Sequence, residues 1–494
     1  MKKGIVLLMC FCMLFGMIAC GGGETAATGE ATTAAPTKPA PTVQVVEGQP
    51  VEQLDDVSVY IPVAGPSKEL EGLPTYVYSE GAVVAYRGEK AGRYGLNTHI
   101  IGETDAAAFI TYLNALEADG WVQYSNNIMD GTNLFATYTK DAGSIYCYYI
   151  SSKRTAYLVS SPEQKLEPRQ QDNQYEAICK PQLTQIKLLN KEWRGGMSYL
   201  LRLSDGRFIM IDGGYNEQDF YHARQLYALM EEQNVLDNIT IAAWIITHPH
   251  IDHLGTAADF LRYYKSNQVE LQQMIFNFPT DDDIMKFEPE SVTSDHPSYM
   301  PTFMLALDIL WPELTITVCH TGQRYHFADA TIEVLHTLED FYPKTMNSLS
   351  SNQMNGASVV FSLEVGGQKT MFLADSAEDC SKDLYAMWGD YLKSDMMQAA
   401  HHGLRGGTVD LYKAIDPEVV LVPMYEGYMN KILDFDASRW VWNNGNGRIR
   451  EVILSGWQQR TLELPYLPAP GTEFFSNATT DPWAGMEAAY KTNP

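Results

Sequence analysis

Residues 239–246, Ile-Thr-Ile-Ala-Ala-Trp-Ile-Ile, carry no charge and run directly into Thr247-His248-Pro249-His250-Ile251-Asp252-His253-Leu254-Gly255. An apolar run of this length reads as a buried strand. After Asp252 the period changes, with Leu254, Ala257, Ala258 and Leu261 at helical spacing. Three imidazoles and a carboxylate therefore sit on a strand-to-helix loop, where side chains can converge on one point. His248 and His250 alternate along an extended segment, face the same way and can share one metal. Asp252 and His253, one turn into the helix, can serve a second metal. These donor types suit zinc and related divalent cations. A polar loop with accidental histidines is the weaker reading, because burying so many titratable groups without a metal leaves polar atoms unpaired.

The loop resembles the metal-binding motif of the metallo-β-lactamase superfamily, over roughly residues 182–460. The resemblance implies an α/β (α+β) fold, an αββα sandwich with two mixed sheets face to face and helices outside. It implies two divalent metals, zinc first, with Mn2+ or Fe2+ as alternatives. Strand 207–211 ends in Asp212-Gly213-Gly214, which resembles the family's first motif; Asp212 would orient the metal loop by hydrogen bonding. Strand 369–373 leads to Asp375, which resembles the carboxylate that bridges the metals, with Ala374 where a Gly is usual. Residues 396–400 lead into His401-His402-Gly403, which resembles the final histidine motif. There His402, directly before Gly, is the implied ligand, and His401 is the implied supporting or substrate-contacting group, or a proton donor. The implied ligand set is His248, His250, Asp252, His253, Asp375 and His402, with Asp252 holding the attacking water or hydroxide in line.

The family's middle histidine is missing, and the segment there reads Asn352-Gln353-Met354-Asn355-Gly356-Ala357-Ser358-Val359-Val360. Asn355 is expected to support the site from behind the ligands. His336, farther upstream at a strand end, is read as structural. The Asn-rich turn, Glu333-Val334-Leu335-His336 and the double histidine together resemble the hydrolase domain of bacterial competence (DNA-uptake) proteins and their stand-alone relatives. Phosphorylcholine esterases share the double histidine and the missing middle one. Leu404 stands where that subgroup usually has Ser, and the chain shows no membrane channel helices.

The rest of the chain divides by composition. Lys2 and Lys3 precede a short apolar stretch ending Met17-Ile18-Ala19-Cys20, so residues 1–20 read as a secretion signal. Its end resembles a lipobox, with Cys20 lipidated to anchor the protein outside the cytoplasm. Residues 21–49 are a Gly/Thr/Ala/Pro-rich tether. Residues 50–165 read as a small α+β domain, with a helix at 106–118 and strands at 121–124, 133–138, 144–151 and 155–160. Its tyrosines, among them Tyr146, Tyr148 and Tyr149, are better explained as strand filling than as a ligand face. Residues 163–175 are polar and read as a linker. Residues 180–465 form the hydrolase-like domain, with strands at 185–190 and 198–203, a helix at 219–232, an acidic turn at Asp281-Asp282-Asp283 and a helix near 299–310. Residues 466–494 are a tail. Cys147, Cys179, Cys319 and Cys380 show no disulfide framework.

A net charge of −26 repels nucleic acid backbones, so the expected partner is a small-molecule or cell-envelope substrate. The sequence does not fix the oligomeric state. The reading is a membrane-anchored metal-dependent hydrolase of phosphodiester or related ester bonds. The alternatives are a lactonase or β-lactamase-type amide hydrolase, which normally uses the middle histidine, and a non-catalytic binding protein with a vestigial metal site.

Overall fold

Strand Thr240–Ile245 is buried at every position. It pairs in parallel with Phe208–Ile211 on one side and with Gln273–Phe276 on the other. Parallel strands need cover on both faces, which is why this run lacks the alternation of a half-exposed strand. The computed structural model describes residues 73–77, 83–88, 97–129, 132–161, 166–188, 196–279, 299–341, 353–424, 434–456 and 459–468, all within one unit, Val43–Pro494. Cys20 and its signal, the 21–49 tether, the 281–283 turn and residues 469–494 lie outside the described residues.

The central strand belongs to an eight-stranded mixed sheet that runs from Thr315–Val318 at one edge to Arg460–Glu463 at the other. A seven-stranded mixed sheet faces it, from Arg324–Phe327 to Glu451–Leu454. Side-chain alternation decides which core each residue joins. Ile209, Ile211, Ala243 and Ile245 point inward to meet Val334, Phe361, Phe372 and Leu421 of the facing sheet. Phe208, Met210 and Trp244 point outward, under helices Tyr221–Gln233, Ile251–Tyr263 and Met300–Leu310. Met371, Met397 and Val420 of the second sheet are covered by Glu378–Trp388, Val409–Ile415 and Asp436–Trp442. The result is the four-layered αββα sandwich.

Some boundaries move. The strand expected at 185–190 is Gln182–Gln185, fixed by antiparallel pairing to Tyr199–Arg202 and Arg460–Glu463. The helix expected from 219 starts at Tyr221, because Asp219 and Phe220 take left-handed φ values of 55° and 56°.

Ahead of the sandwich is a six-stranded antiparallel sheet with helix Ala106–Ala118 on one face. Two of its strands, Val83–Gly88 and Asn97–Gly102, are additional to those the sequence suggested. The other face packs on the sandwich: Phe135, Tyr146, Tyr148 and Tyr157 share one apolar cluster with Leu335, Leu384 and Trp388. Tyr146 and Tyr148 are therefore wholly buried as filling. The polar stretch read as a linker is partly built into this contact. Glu167 is 3% exposed and accepts hydrogen bonds from Ser125, Thr137 and Gln323. Cys147, Cys179, Cys319 and Cys380 are free thiols, three of them buried.

Candidate metal centre

Asp212, the 247–253 loop, Asp375 and His401-His402 follow the strands Phe208–Ile211, Thr240–Ile245, Gln368–Phe372 and Met396–Gln398. All lie at the carboxyl ends of their strands, the end at which open α/β sheets hold ligands. The chain reaches this point through strained backbone. Asp212, Ala374, His401 and His402 have φ of 51°, 51°, 50° and 58°. Non-glycine residues rarely take this conformation, and it clusters at functional sites. Ala374 thus keeps the left-handed turn that a Gly would take more easily. Gly196 is required by close approach instead: a Cβ there would lie 1.9 Å from the Asp252 carbonyl oxygen.

The centre of the cluster is Asp375 Oδ2. His402 Nε2 lies 3.2 Å away, His253 Nε2 3.3 Å, His401 Nε2 3.7 Å and His248 Nε2 4.0 Å. Asp252 Oδ2 is 3.3 Å from His402 Nε2, and His253 Nε2 is 3.3 Å from the same atom. His250 Nδ1 is 3.0 Å from His248 Nε2. Asp252, His253, Asp375 and His402 each place one donor atom within 4.8 Å of the others. The structure thus brings together His248, His250, Asp252, His253, Asp375 and His402, and it adds His401 at the same carboxylate.

Hydrogen bonds from behind set the ring orientations. Asp212 Oδ2 lies 2.6 Å from His253 Nδ1. Asp212 also accepts from the Thr247 amide (2.7 Å) and hydroxyl (2.8 Å), locking the start of the metal loop. His402 Nδ1 donates to the Pro423 carbonyl over 2.6 Å, and His401 Nδ1 donates to the Arg405 carbonyl. A carbonyl only accepts, so each Nδ1 carries a proton and Nε2, aimed at Asp375, is the nitrogen that would hold a cation. Thr247 and the carbonyls of Pro423 and Arg405 are the parts that the sequence reading did not assign. Thr247 stood in the quoted motif, but the carbonyls left no side-chain signal. Asn355 places Nδ2 3.4 Å from His401 Nε2. His336 lies elsewhere, against the Ser358 carbonyl and the Cys380 thiol.

The electrostatics fit a bound cation. Burial lowers the pKa of His402, but Asp375 and Asp252 outweigh it and raise the imidazole to about 10. His253 is likewise held well above its usual range against burial, by Asp375 and Asp212. His248 is pushed well below, by burial and then by His253 and His250. Asp375 Oδ1 is buried with no hydrogen-bond partner among the described residues. An orphaned carboxylate oxygen beside several imidazole Nε2 atoms is a donor set that fits a divalent metal site.

No curated protein matches the sequence. Solved structures similar to this chain include the metallo-β-lactamase fold protein YhfI from Bacillus subtilis, at 13% identity and TM-score 0.32, with 57% of this chain and 99% of that one covered. The diiron β-hydroxylase CmlA from Streptomyces venezuelae shares 14% identity with a TM-score of 0.35, covering 58% of this chain but only 55% of the hydroxylase. A diphosphatase from the PhnP family shares 10% identity with a TM-score of 0.31, covering 58% and 98%. The family model described as metallo-beta-lactamase superfamily matches residues 192–327, which include Asp212 and the whole histidine loop. The chain therefore carries a metallo-β-lactamase superfamily domain.

Proposed function

We propose that this centre holds two divalent cations and hydrolyses phosphodiester or related ester bonds. The observation that carries the reading is the position of Asp375 Oδ2 among more donors than one cation needs. Asp252, His253 and His402 place donor atoms together with it, His401 and His248 Nε2 face it at 3.7 and 4.0 Å, and His250 Nδ1 is 3.0 Å from His248 Nε2. On this reading His401 supplies the nitrogen that the missing middle histidine would have given. Its inward lone pair makes it a ligand rather than the resting proton donor expected from the sequence.

Bound divalent cations acidify water and neutralise charge on an attacked ester. The chain's own residues supply orientation and proton handling. The Asp252 side chain is 34% exposed, against 2% for Asp375. Asp252 is thus the carboxylate open to solvent, placed to hold a water and accept its proton. Asp212 and Thr247 keep His253 in the productive tautomer.

Charge balance supports an anionic substrate. Two divalent cations (+4) against Asp212, Asp252 and Asp375 (−3) would leave a local surplus of +1. That surplus favours an anionic phosphoester over a neutral lactone or amide. The overall charge of −26 supports a small or cell-envelope molecule rather than a nucleic acid. The lipobox-like Cys20 supports action outside the cytoplasm, on a lipid anchor.

The test is metal analysis followed by turnover of bis-p-nitrophenyl phosphate, nitrocefin and a lactone. Two metals per chain, with phosphodiester turnover lost in Asp252→Ala, is the expected result. Preferential turnover of nitrocefin or the lactone would move the assignment to the second enzyme class. A protein that stays metal-free and inert after zinc addition would remove both.

A further inference from the structure

We infer that the Asn355 carboxamide is a substrate-contacting group, which donates a hydrogen bond to a non-bridging oxygen of the phosphoryl group. The inference rests on the hydrolase reading above and adds a residue to it. Asn355 is 2% exposed, and its Oδ1 has no hydrogen-bond partner among the described residues. Among the described residues its Nδ2 has one hydrogen-bonding neighbour, His401 Nε2, at 3.4 Å. That is long for a hydrogen bond between nitrogens.

The His401 lone pair can serve one partner at a time. The Arg405 carbonyl holds the ring proton on Nδ1, so Nε2 is the acceptor, and it faces Asp375 at 3.7 Å. Once that lone pair engages a cation, the Asn355 N–H loses its acceptor. The amide is then buried with neither its oxygen nor its nitrogen satisfied, a costly arrangement. A ligand oxygen held at the same cation removes the conflict, because it accepts the N–H from beside His401. The amide oxygen can take a proton from a water or hydroxyl at the same place.

The segment is held rigidly enough for that role. Met354 is packed in the core under the first helical layer. The Ser358 amide donates to the Asn355 carbonyl over 3.2 Å, and the Val359 amide donates to the Thr247 carbonyl over 2.9 Å. The second contact ties the Asn355 turn to the metal loop. A fixed neutral donor aimed at developing oxyanion charge is the usual form of transition-state stabilisation. Asn at this position is therefore more than a lost histidine: with His401 supplying the ligand nitrogen, the amide is left for the substrate.

The experiment uses the full zinc-loaded chain and two variants, Asn355→Ala and the near-isosteric Asn355→Leu. Metal content, thermal unfolding, kcat and KM on bis-p-nitrophenyl phosphate, and binding of orthovanadate and inorganic phosphate by calorimetry are measured. The expected result is unchanged metal content and melting, and kcat lower by on the order of 10²-fold with KM little changed. Orthovanadate, the closer mimic of the transition state, loses more affinity than phosphate. The inference is overturned if both variants keep kcat and vanadate affinity within threefold, or if metal is lost in step with activity. Should the wild type bind vanadate through Asn355 yet turn over no phosphodiester, the contact stands and the hydrolase reading falls. A loaded wild type that binds neither anion removes both.

Discussion

At the carboxyl ends of the strands, Asp375 Oδ2 is surrounded by ring nitrogens of four histidines at 3.2–4.0 Å, while Oδ1 has no partner among the described residues. Under the N-terminal sheet, Glu339 is just as deeply buried beside a histidine, yet both its oxygens are bonded. His320 Nδ1 lies 3.0 Å from Oε1, the Asn277 amide donates to both oxygens at 2.9 Å, and the Thr337 hydroxyl donates to Oε2. Composition does not separate the two clusters, since each is a buried carboxylate with imidazole. Closure separates them. The Glu339 cluster completes its hydrogen bonds inside the protein, and so contributes to stability. The Asp375 cluster leaves an oxygen without a partner among the described residues and gathers the Nε2 atoms of four imidazoles around the other, and so fits something that binds.

Substitution at the two carboxylates should pull function and stability apart. Asp375→Asn is expected to remove phosphodiester turnover by on the order of 10³-fold, together with bound metal. The metal-free protein should unfold in urea at nearly the wild-type midpoint, because a buried charge has been removed as well. Glu339→Ala should do the reverse. It removes the carboxylate that the His320 ring and the Thr337 hydroxyl face and leaves Asn277 only the Cys319 carbonyl as recipient of its amide, at a cost of about 3–5 kcal/mol in urea unfolding. Metal bound per folded chain should not change. Loss of metal in Glu339→Ala at full stability would end the contrast.

The pH dependence sharpens it. Burial alone would raise the Glu339 carboxyl, but His320 and the bonds from Thr337 and Asn277 outweigh burial and bring it from 4.5 to about 2. The folded state thus binds this proton less readily than the unfolded chain. Its contribution is complete above about pH 4.5 and is lost as pH falls toward 2. Stability of Glu339→Gln should therefore fall less steeply than wild type across that window, measured by urea melts at each pH.

The next effect in size lies behind the metal centre. Asp212→Asn keeps the shape but cannot accept from both Thr247 and His253 as a carboxylate does. Metal affinity should drop by about 10–100-fold while stoichiometry at saturation stays unchanged. A drop no larger than twofold would mean that the histidine loop holds its shape without this carboxylate.

The same contrast explains what the sequence could convey. That the loop 247–255 and Asp375 would converge was legible because polar donors projecting from strand ends stand within a few positions of apolar runs. The sandwich was legible because the runs around Ile241, Met210 and Met371 are apolar on both faces. His401 was not fully legible, since its ligand-like pose depends on a left-handed φ and on the Arg405 carbonyl, neither of which composition reveals. Glu167 was hidden for a related reason. Its partners Ser125, Thr137 and Gln323 come from separate parts of the chain, so a polar stretch looked like a linker. The closed cluster left no motif at all: Asn277, His320, Thr337 and Glu339 follow three different strands of the sandwich and meet only in the folded chain.

The smallest expected effect lies at that docked face. The Tyr148 hydroxyl donates to Asp340 Oδ1 over 3.3 Å, a long bond, and Asp340 also accepts from the Thr321 hydroxyl and from the Thr337 amide at 3.1 Å. Tyr148→Phe removes the donor but leaves Asp340 its other partners, so no buried charge is stranded. The ring keeps its stacking on Tyr157, with centroids 4.3 Å apart. The loss should therefore sit at the low end of a single hydrogen bond, about 0.5 kcal/mol, with metal content and turnover unchanged. A cost approaching that of Glu339→Ala would mean that the two buried carboxylates beneath the N-terminal sheet act as one network, with Tyr148 as its closing member.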